Sequence, residues 1–469
     1  MLLQRLMLSA SSFDSCTLFL ANFNPLPAWL SFMLAWLPLS PSPPLRYAGL
    51  GTPDPALRAA VRKEFAGCAI AATMMNANGQ LDGADRCLAL FGTAHGPGGK
   101  PYLDTPAIAA ATAAATGTAA SAADESAAGT ASGFHALVSR SLQRNVAASA
   151  QAVMEEEVVA MVREVLGSLN GAGGAVDGIV LVGGCALNVR VNSELAAAFP
   201  HLPVHVPAAP SDCGLAVGSG WLLAPPPLHG PPLRLHLLGP TPFDLAYDHD
   251  HRGGPSAALA EPELSAEGAA RLSALGGVRL GASLAAAAAA LAVLLADDQV
   301  IGVVRGRAEH GPRAFGHRSL LSAPSAGMKE RMNALKHREW YRPVAPVLLA
   351  EEGDRVFERD SPLRPLHSPF MSFAPRLLPA AAAALPAVTH ADATARPQTV
   401  TAGGDPWLHA LLTAVKEQTG WGVLINTSFN TRGKPILNSV AEALALLRDC
   451  EDLDYVLVED FLFPKAIVL

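Results

Sequence analysis

GIVLVGGCALNVRVNSELAAAFPHLPVHVPAAPSDCGLAVGSGWLL, residues 178–223, alternates strand and helix twice. Gly178–Val182 is an apolar run of strand length that stops at Gly183-Gly184. Asn188–Phe199 carries the helical period, Pro203–Pro207 is a second short strand, and Gly214–Leu223 is a second helical run. Strand, helix, strand, helix predicts an α/β layer with a parallel sheet.

Working outward, Val146, Ala150, Val153, Val158, Met161 and Val165 recur near the helical period, so a helix precedes this unit. Thr105 to Gly133 is an Ala/Thr/Ser/Gly tract without period and reads as a loop or insert. Towards the C-terminus, Ala224 to about Ser265 is rich in Pro, Gly and His, the composition of a linker. Leu284–Ala296 then predicts a helix and Val300–Val304 a strand. Leu377–Pro386 reads as an Ala/Pro surface loop. Trp421–Asn426 reads as a buried strand, and Asp454–Val458 as another. Ser439 followed by Glu442 is a capping box opening a helix over 440–448. The second half is therefore also α/β.

Composition narrows the function classes. The 469-residue chain is 50% apolar, enough for two or three packed domains, and its net charge is −7. An acidic total gives no global field for nucleic acid or anionic lipid, so any anion site must be a local concentration of cations. The six cysteines are scattered without a CxxC pair, which disfavours a zinc ribbon or disulfide scaffold and fits a reducing, cytoplasmic setting. Asn22, Asn24, Pro25 and Pro27 break the apolar N-terminal stretch, so no membrane span is expected there. Residues 1–48 read as an unstructured extension or a mistaken start, with an organellar transit peptide left open.

That local concentration lies between residues 305 and 342. Arg305, Arg307, Arg313, Arg318, Lys329, Arg331, Lys336, Arg338 and Arg342 stand against only Glu309, Glu330 and Glu339. Gathering guanidinium groups costs Coulomb repulsion that an intervening anion relieves. A solvated charged face is the bland alternative. Gly311-Pro312-Arg313-Ala314-Phe315-Gly316 argues against it, because a glycine-bracketed turn can present amides to an anion. Lys336, Arg338 and Arg342 also share parity, so an extended segment would aim all three at one side. Asn426, Thr427, Ser428 and Asn430 follow a buried strand, where open α/β sheets bind ligands; a polar turn is the alternative. Gly183, Gly184 and Asn188 form a strand-to-helix turn that could hold a phosphate or could simply be tight. Asp212 is an N-cap or a carboxylate metal ligand, and no His-x₃-His pair accompanies it in the first half.

Six ordered blocks carry a resemblance: IVLVGGCALNVRVNSEL (179–195), VPAAPSDCGLAVGSG (206–220), GRAEHGPRAFGHRSLL (306–321), MNALKHREWYRPVAPVL (332–348), VTHADATARPQTV (388–400) and GVLINTSFNTRGKPI (422–436). Together they resemble the nodulation-type and antibiotic-tailoring O-carbamoyltransferases. The resemblance implies an actin-like ATPase-type domain over 49–228, here partial, followed by a YrdC-like domain over 229–469. It implies ATP and carbamoyl phosphate as substrates, carbamoyl adenylate as intermediate and a small-molecule hydroxyl as acceptor, with an iron-like or magnesium divalent metal. Arg313, Arg318, Lys336, Arg338 and Arg342 would hold phosphates and the carbamoyl carbonyl. Ser319, His390, Arg396, Gln398, Asn426, Thr427, Ser428 and Asn430 would line the same pocket. Gly183, Gly184 and Asn188 would contact nucleotide, and Asp212 would ligate metal. The family's HHxxHA segment is absent, Ala323 stands where it usually has Asp, and His317 where it usually has Asn. The acceptor half therefore reads as incomplete. A tRNA threonylcarbamoyl-modifying protein and a non-catalytic nucleotide-binding remnant are the alternatives. Nucleic acid and membrane are disfavoured as partners, and a homodimer is left open.

Overall fold

The computed structural model describes residues 17–20, 52–56, 58–59, 93–95, 101–103, 140–171, 176–225, 234–248, 262–281, 283–338, 340–358, 366–431 and 433–468. In chain order come β1 (Thr17–Leu20), β2 (Thr93–His95), β3 (Pro101–Leu103), α1 (Arg140–Gly171), β4 (Gly178–Leu181), α2 (Val189–Ala198), β5 (Val204–His205) and α3 (Gly214–Leu223). Then follow β6 (Tyr247–Asp248), β7 (Glu263–Leu264), α4 (Ala266–Ala274), β8 (Val278–Arg279), α5 (Leu284–Ala296), β9 (Ile301–Val304), β10 (Arg318–Ser322) and α6 (Met328–Leu335). Last are β11 (Ala345–Leu349), β12 (Gln398–Val400), α7 (Pro406–Thr419), β13 (Val423–Ser428), α8 (Val440–Asp449), β14 (Tyr455–Val458) and β15 (Phe461–Pro464).

The chain divides into two compact units, residues 22–174 and residues 1–21 with 175–469. In the first, α1 buries Val153, Met154, Val158, Val162 and Leu166 at helical spacing. Ser149 Oγ on that helix accepts from the Asp54 amide at 2.9 Å. The Ala/Thr tract 105–133 lies outside the described residues.

The second unit holds two sheets relevant to function. The smaller is parallel, in the order β1-β4-β5, with Thr17 opposite Gly178 and Ile179 opposite Val204. Its edge strand β1 falls within the stretch read as an extension. The larger has eight strands in the order β12-β11-β13-β10-β9-β14-β15-β8. It is mixed: β9/β14 and β11/β12 are parallel, while the remaining pairs are antiparallel. Alternate residues feed opposite cores, as the strand period of two requires. Val304, Leu320, Leu348, Ile425 and Val456 join Met332 of α6 and Leu447 of α8 on one face. Ile301, Leu321, Val347, Leu424 and Leu457 join Leu291 of α5 and Leu411 of α7 on the other. Among the described residues no helix is long and apolar enough to cross a membrane.

Local chemistry sets the helix starts. Ser439 Oγ accepts from the Glu442 amide at 3.1 Å, the serine half of the capping box, while Glu442 Oε2 accepts from the Asn438 amide and the Ser439 hydroxyl instead of the Ser439 amide. Three readings need correction. Leu377–Pro386 contains a helix over Pro379–Ala384 with Ala381 and Leu385 buried, because proline suits the first helical turn and alanine packs closely. The residues after Met328–Leu335 are not extended: Lys336 caps the helix and His337 turns with φ 48°. The parity argument for Lys336, Arg338 and Arg342 therefore fails. The described part of the Pro/Gly/His stretch is also packed, since the Gly239 amide donates to Ala308 O at 3.0 Å and the Ala308 amide to Pro240 O at 2.9 Å.

Candidate functional site

Strand polarity places the candidate residues at one edge of the large sheet. In register, Val304 faces Arg318 and Val458, Ser428 faces Ser319, and Asn426 faces Ala345. The C-terminal ends of β9, β13 and β14 thus meet the N-terminal ends of β10 and β11. The loop 305–317, the segment 336–344 and the turn after Ser428 all leave from that edge.

The loop 305–317 is built around a buried carboxylate that the charge count treats only as an anion. Glu309 Oε1 accepts from the amides of Phe315, His317 and Arg318 at 2.7, 2.8 and 3.2 Å. Glu309 Oε2 is buried and accepts no hydrogen bond. Arg318 is fully buried, and its Nη atoms donate to Arg305 O, Gly306 O, His317 O, Pro240 O and Asn438 Oδ1 at 2.8–3.4 Å. Its guanidinium therefore stitches the two ends of the loop together. Arg305 is also buried; it pairs with Asp405, lies 4.6 Å over the Trp407 ring and donates to Gly316 O at 3.0 Å. Burial, then Arg305 and Arg318, push His317 well below the usual imidazole range, so the ring is neutral. Its Nδ1 donates to Arg305 O at 3.1 Å.

The remaining residues fall into groups. Lys336, 5% exposed, directs Nζ at Ser428 O and Oγ and at Asn430 O and Oδ1, the last at 2.7 Å. Asn333 organises the adjoining segment: its Oδ1 accepts from Arg338 Nε at 2.8 Å, and its Nδ2 donates to Arg342 O at 2.9 Å. Arg338 and Arg342 are half-buried. Asn426 is 1% exposed and donates to Ala314 O at 3.2 Å and to Gln398 Oε1 at 2.7 Å, leaving Oδ1 as a buried acceptor with no donor. Gln398 in turn donates to Phe315 O at 3.0 Å. Ser319 Oγ accepts from the Gly316 amide at 2.9 Å. Thr427 sits opposite Leu320, and Arg396 is half-buried ahead of Gln398. His390 Nδ1 lies 3.0 Å from Thr394 Oγ1.

Arg313 faces the turn after β4. Its Nη2 reaches Leu187 O at 3.5 Å, and it lines a small open cleft with Leu187, Pro207, Pro210, Phe370 and Met371. The turn itself is held by the Gly183 amide on Pro210 O at 2.5 Å and by Asn188, whose side chain caps α2 at the Val191 amide. Gly183 has φ 88°, and Gly184 is exposed. Gly311 has φ 114°, and a Cβ there would sit 3.0 Å from Ala208 O. Gly311→Ala should therefore cost about 1–3 kcal/mol of stability through backbone strain, read as a lowered urea midpoint. An unchanged midpoint would show that the turn tolerates a side chain.

Asp212 stands apart as an exposed side chain. Among the described residues no group of three His, Cys, Asp or Glu could hold a metal ion, so those residues supply no donor set for the metal expected at Asp212. Sequence reasoning missed Glu309, Asn333 and Asp405. Only the last had a local signal, an Asp before Pro406 at a helix start, and its side chain caps α7 at the Leu408 amide.

Two family models match in order: Carbamoyltransferase N-terminus over residues 115–221 and Carbamoyltransferase C-terminus over 292–465. Nodulation protein NolO of Bradyrhizobium diazoefficiens is 43% identical over 173 residues, covering 36% of this chain and 31% of that protein. A 3'-hydroxymethylcephem-O-carbamoyltransferase of Streptomyces clavuligerus is 34% identical over 274 residues, 58% of this chain and 46% of the relative. Nodulation protein U of Bradyrhizobium diazoefficiens is 30% identical over 294 residues, 62% of this chain and 44% of the relative. In each of the three the match spans less than half of the relative's length.

Proposed function

Because the chain belongs to the carbamoyltransferase family, matching both its N-terminal and C-terminal models, we propose that it forms carbamoyl adenylate from ATP and carbamoyl phosphate and delivers the carbamoyl group to a hydroxyl. The observation that carries this reading is the single sheet edge where Lys336, Ser428 and Asn430 lie beside the loop 305–317 and the Asn426–Gln398 pair. On this reading residues 229–469 adopt a YrdC-like fold and 49–228 a partial actin-like one.

The chemistry follows from the side chains. Water first cleaves carbamoyl phosphate to carbamate and inorganic phosphate; a carbamate oxygen then bonds to the α-phosphate as pyrophosphate leaves, and charge grows on the departing oxygens. Lys336, Arg338, Arg342 and Arg313 supply positive charge in a partly dehydrated setting, where it acts more strongly than in water. Arg318 and Arg305 add to the field while holding the loop. The buried Asn426 Oδ1 is an acceptor suited to an N–H donor, which a carbamoyl group carries and a phosphate at neutral pH lacks. Transfer then forms a bond from the acceptor oxygen to the carbamoyl carbon and releases AMP. A metal bound near Asp212 would supply Lewis acidity to that step, but the described residues offer it too few ligands, and no step is assigned to it.

The test is pyrophosphate release from ATP. Carbamoyl phosphate should stimulate release at least tenfold, and Arg313→Ala should reduce the stimulated rate by about 100-fold, as loss of one fixed electrostatic contact does. A folded protein that ignores carbamoyl phosphate would rule out adenylation.

A further inference from the structure

Two buried amides at the sheet edge are locked in one orientation. Asn426 and Gln398, 1% and 5% exposed, sit on β13 and β12 with Ala345 of β11 between them. All three share a face with Leu424, Val347 and Val400, and the small Ala345 side chain lets Gln398 reach across the middle strand. Asn426 Nδ2 donates to Gln398 Oε1 at 2.7 Å and to Ala314 O at 3.2 Å, and Gln398 Nε2 donates to Phe315 O at 3.0 Å. Ala314 O and Phe315 O are carbonyls and cannot donate, so both amides must turn their nitrogens to the loop 305–317. Reversing Asn426 would set its oxygen against Ala314 O and Gln398 Oε1.

The lock leaves one group over. Asn426 Oδ1 is buried, accepts no hydrogen bond and cannot exchange places with its nitrogen. A buried acceptor left unmet is unfavourable, and a donor from outside the pair relieves it. The cationic site is adjacent. Ser428 lies two residues along the same strand face, its Cα about 7 Å from that of Asn426. Ser428 Oγ in turn accepts from Lys336 Nζ at 3.1 Å. A small planar anion held at Lys336 therefore turns its far end to Asn426, where an N–H fits and a methyl group does not.

We propose that Asn426 Oδ1, with Gln398 as the positioning residue behind it, makes the site select carbamate over a carboxylate of the same shape that carries a methyl group in place of the amine. The inference deepens the carbamoyl-adenylate reading and rests on it. In the step a carbamate oxygen bonds to the α-phosphorus, and the bond from that phosphorus to the pyrophosphate oxygen breaks. The amine keeps both protons and directs one at Asn426 Oδ1. Acetate can make the same bonds, but it would bury its methyl group against a bare acceptor. A site built to satisfy a substrate N–H rejects the analogue that lacks it, because its own polar group is then left unpaired. Without Gln398, Ala314 O alone would hold Asn426 Nδ2, and the amide would be able to turn.

Acetyl phosphate is the probe, since its hydrolysis supplies acetate as that of carbamoyl phosphate supplies carbamate. Pyrophosphate release by the wild type should favour carbamoyl phosphate by at least about 100-fold in kcat/KM, and a smaller preference overturns the selection. The preference should fall at least tenfold in Asn426→Leu and at least threefold in Gln398→Leu. A merely structural role would lower both rates together and leave their ratio unchanged. A smaller fall in folded Asn426→Leu overturns the selection, and a smaller fall in folded Gln398→Leu overturns the positioning role. Binding is measured on the wild type by calorimetry with phosphonoacetamide and acetonylphosphonate, unreactive mimics of the two acyl phosphates. The amide should bind at least tenfold more tightly than the ketone, and a smaller difference overturns the contact whatever the variants do. If neither acyl phosphate stimulates pyrophosphate release while the amide still binds tenfold more tightly, the adenylation reading fails and the amide contact stands.

Discussion

Glu309→Ala should lower the unfolding free energy by about 3–5 kcal/mol, since it strands three buried amides and removes a carboxylate beside a buried guanidinium. The amides of Phe315, His317 and Arg318 all point at Glu309 Oε1, and Arg318 is fully buried with the Glu309 charge nearby. Water reaching the emptied position would recover part of the loss, which keeps the expectation below the sum of three orphaned donors. Set against a typical stability of about 5–15 kcal/mol, the change is large. Glu309→Gln keeps one amide acceptor and the shape, so about 1–2 kcal/mol is expected from loss of the charge. Denaturant titration of both variants beside the wild type measures the difference. A loss below about 1 kcal/mol for the alanine variant would mean that Arg318 and Arg305 hold the loop without the carboxylate.

How legible these features are in the sequence depends on where their partners lie. Asn188 and Ser439 act on amides three residues away, so strand–turn–helix and capping-box patterns show them directly. The period of the apolar residues likewise marks α2, α3, α5 and β9. Strand β10 was hidden because it begins with Arg318-Ser319 inside a cationic run and has only two apolar residues before Ser322. Glu309 was hidden for a different reason: its partners are backbone amides, and backbone amides leave no mark on side-chain composition. The same holds for Asn333, which works through the carbonyls of Trp340 and Arg342. Strand order is less legible still, since β9 pairs with β14 across some 150 residues and nothing local records that register.

Lys336→Met should reduce kcat/KM for carbamoyl-phosphate-stimulated pyrophosphate release by about 100- to 1000-fold, equivalent to about 3–4 kcal/mol of transition-state stabilisation. Methionine preserves the length and the packing of the stem but ends in a thioether that donates nothing. Ser428 O would keep the Asn430 amide at 3.1 Å, but Ser428 Oγ, Asn430 O and Asn430 Oδ1 would lose the ammonium, and the serine proton already lies toward Asn430 Oδ1 at 2.7 Å. The turn after β13 would relax, and the edge would lose a buried positive charge in one change. Lys336→Arg retains charge, yet a planar fork cannot converge on four acceptors grouped around a point, so it should recover no more than a tenth of the lost rate. Activity and denaturant midpoint must be read on the same samples, because a folding defect alone would lower the amount of active protein without altering KM. Rates within threefold of wild type in a folded Lys336→Met protein would place the nucleotide phosphates elsewhere, since a buried ammonium ion facing the reacting phosphates cannot be removed without a rate penalty.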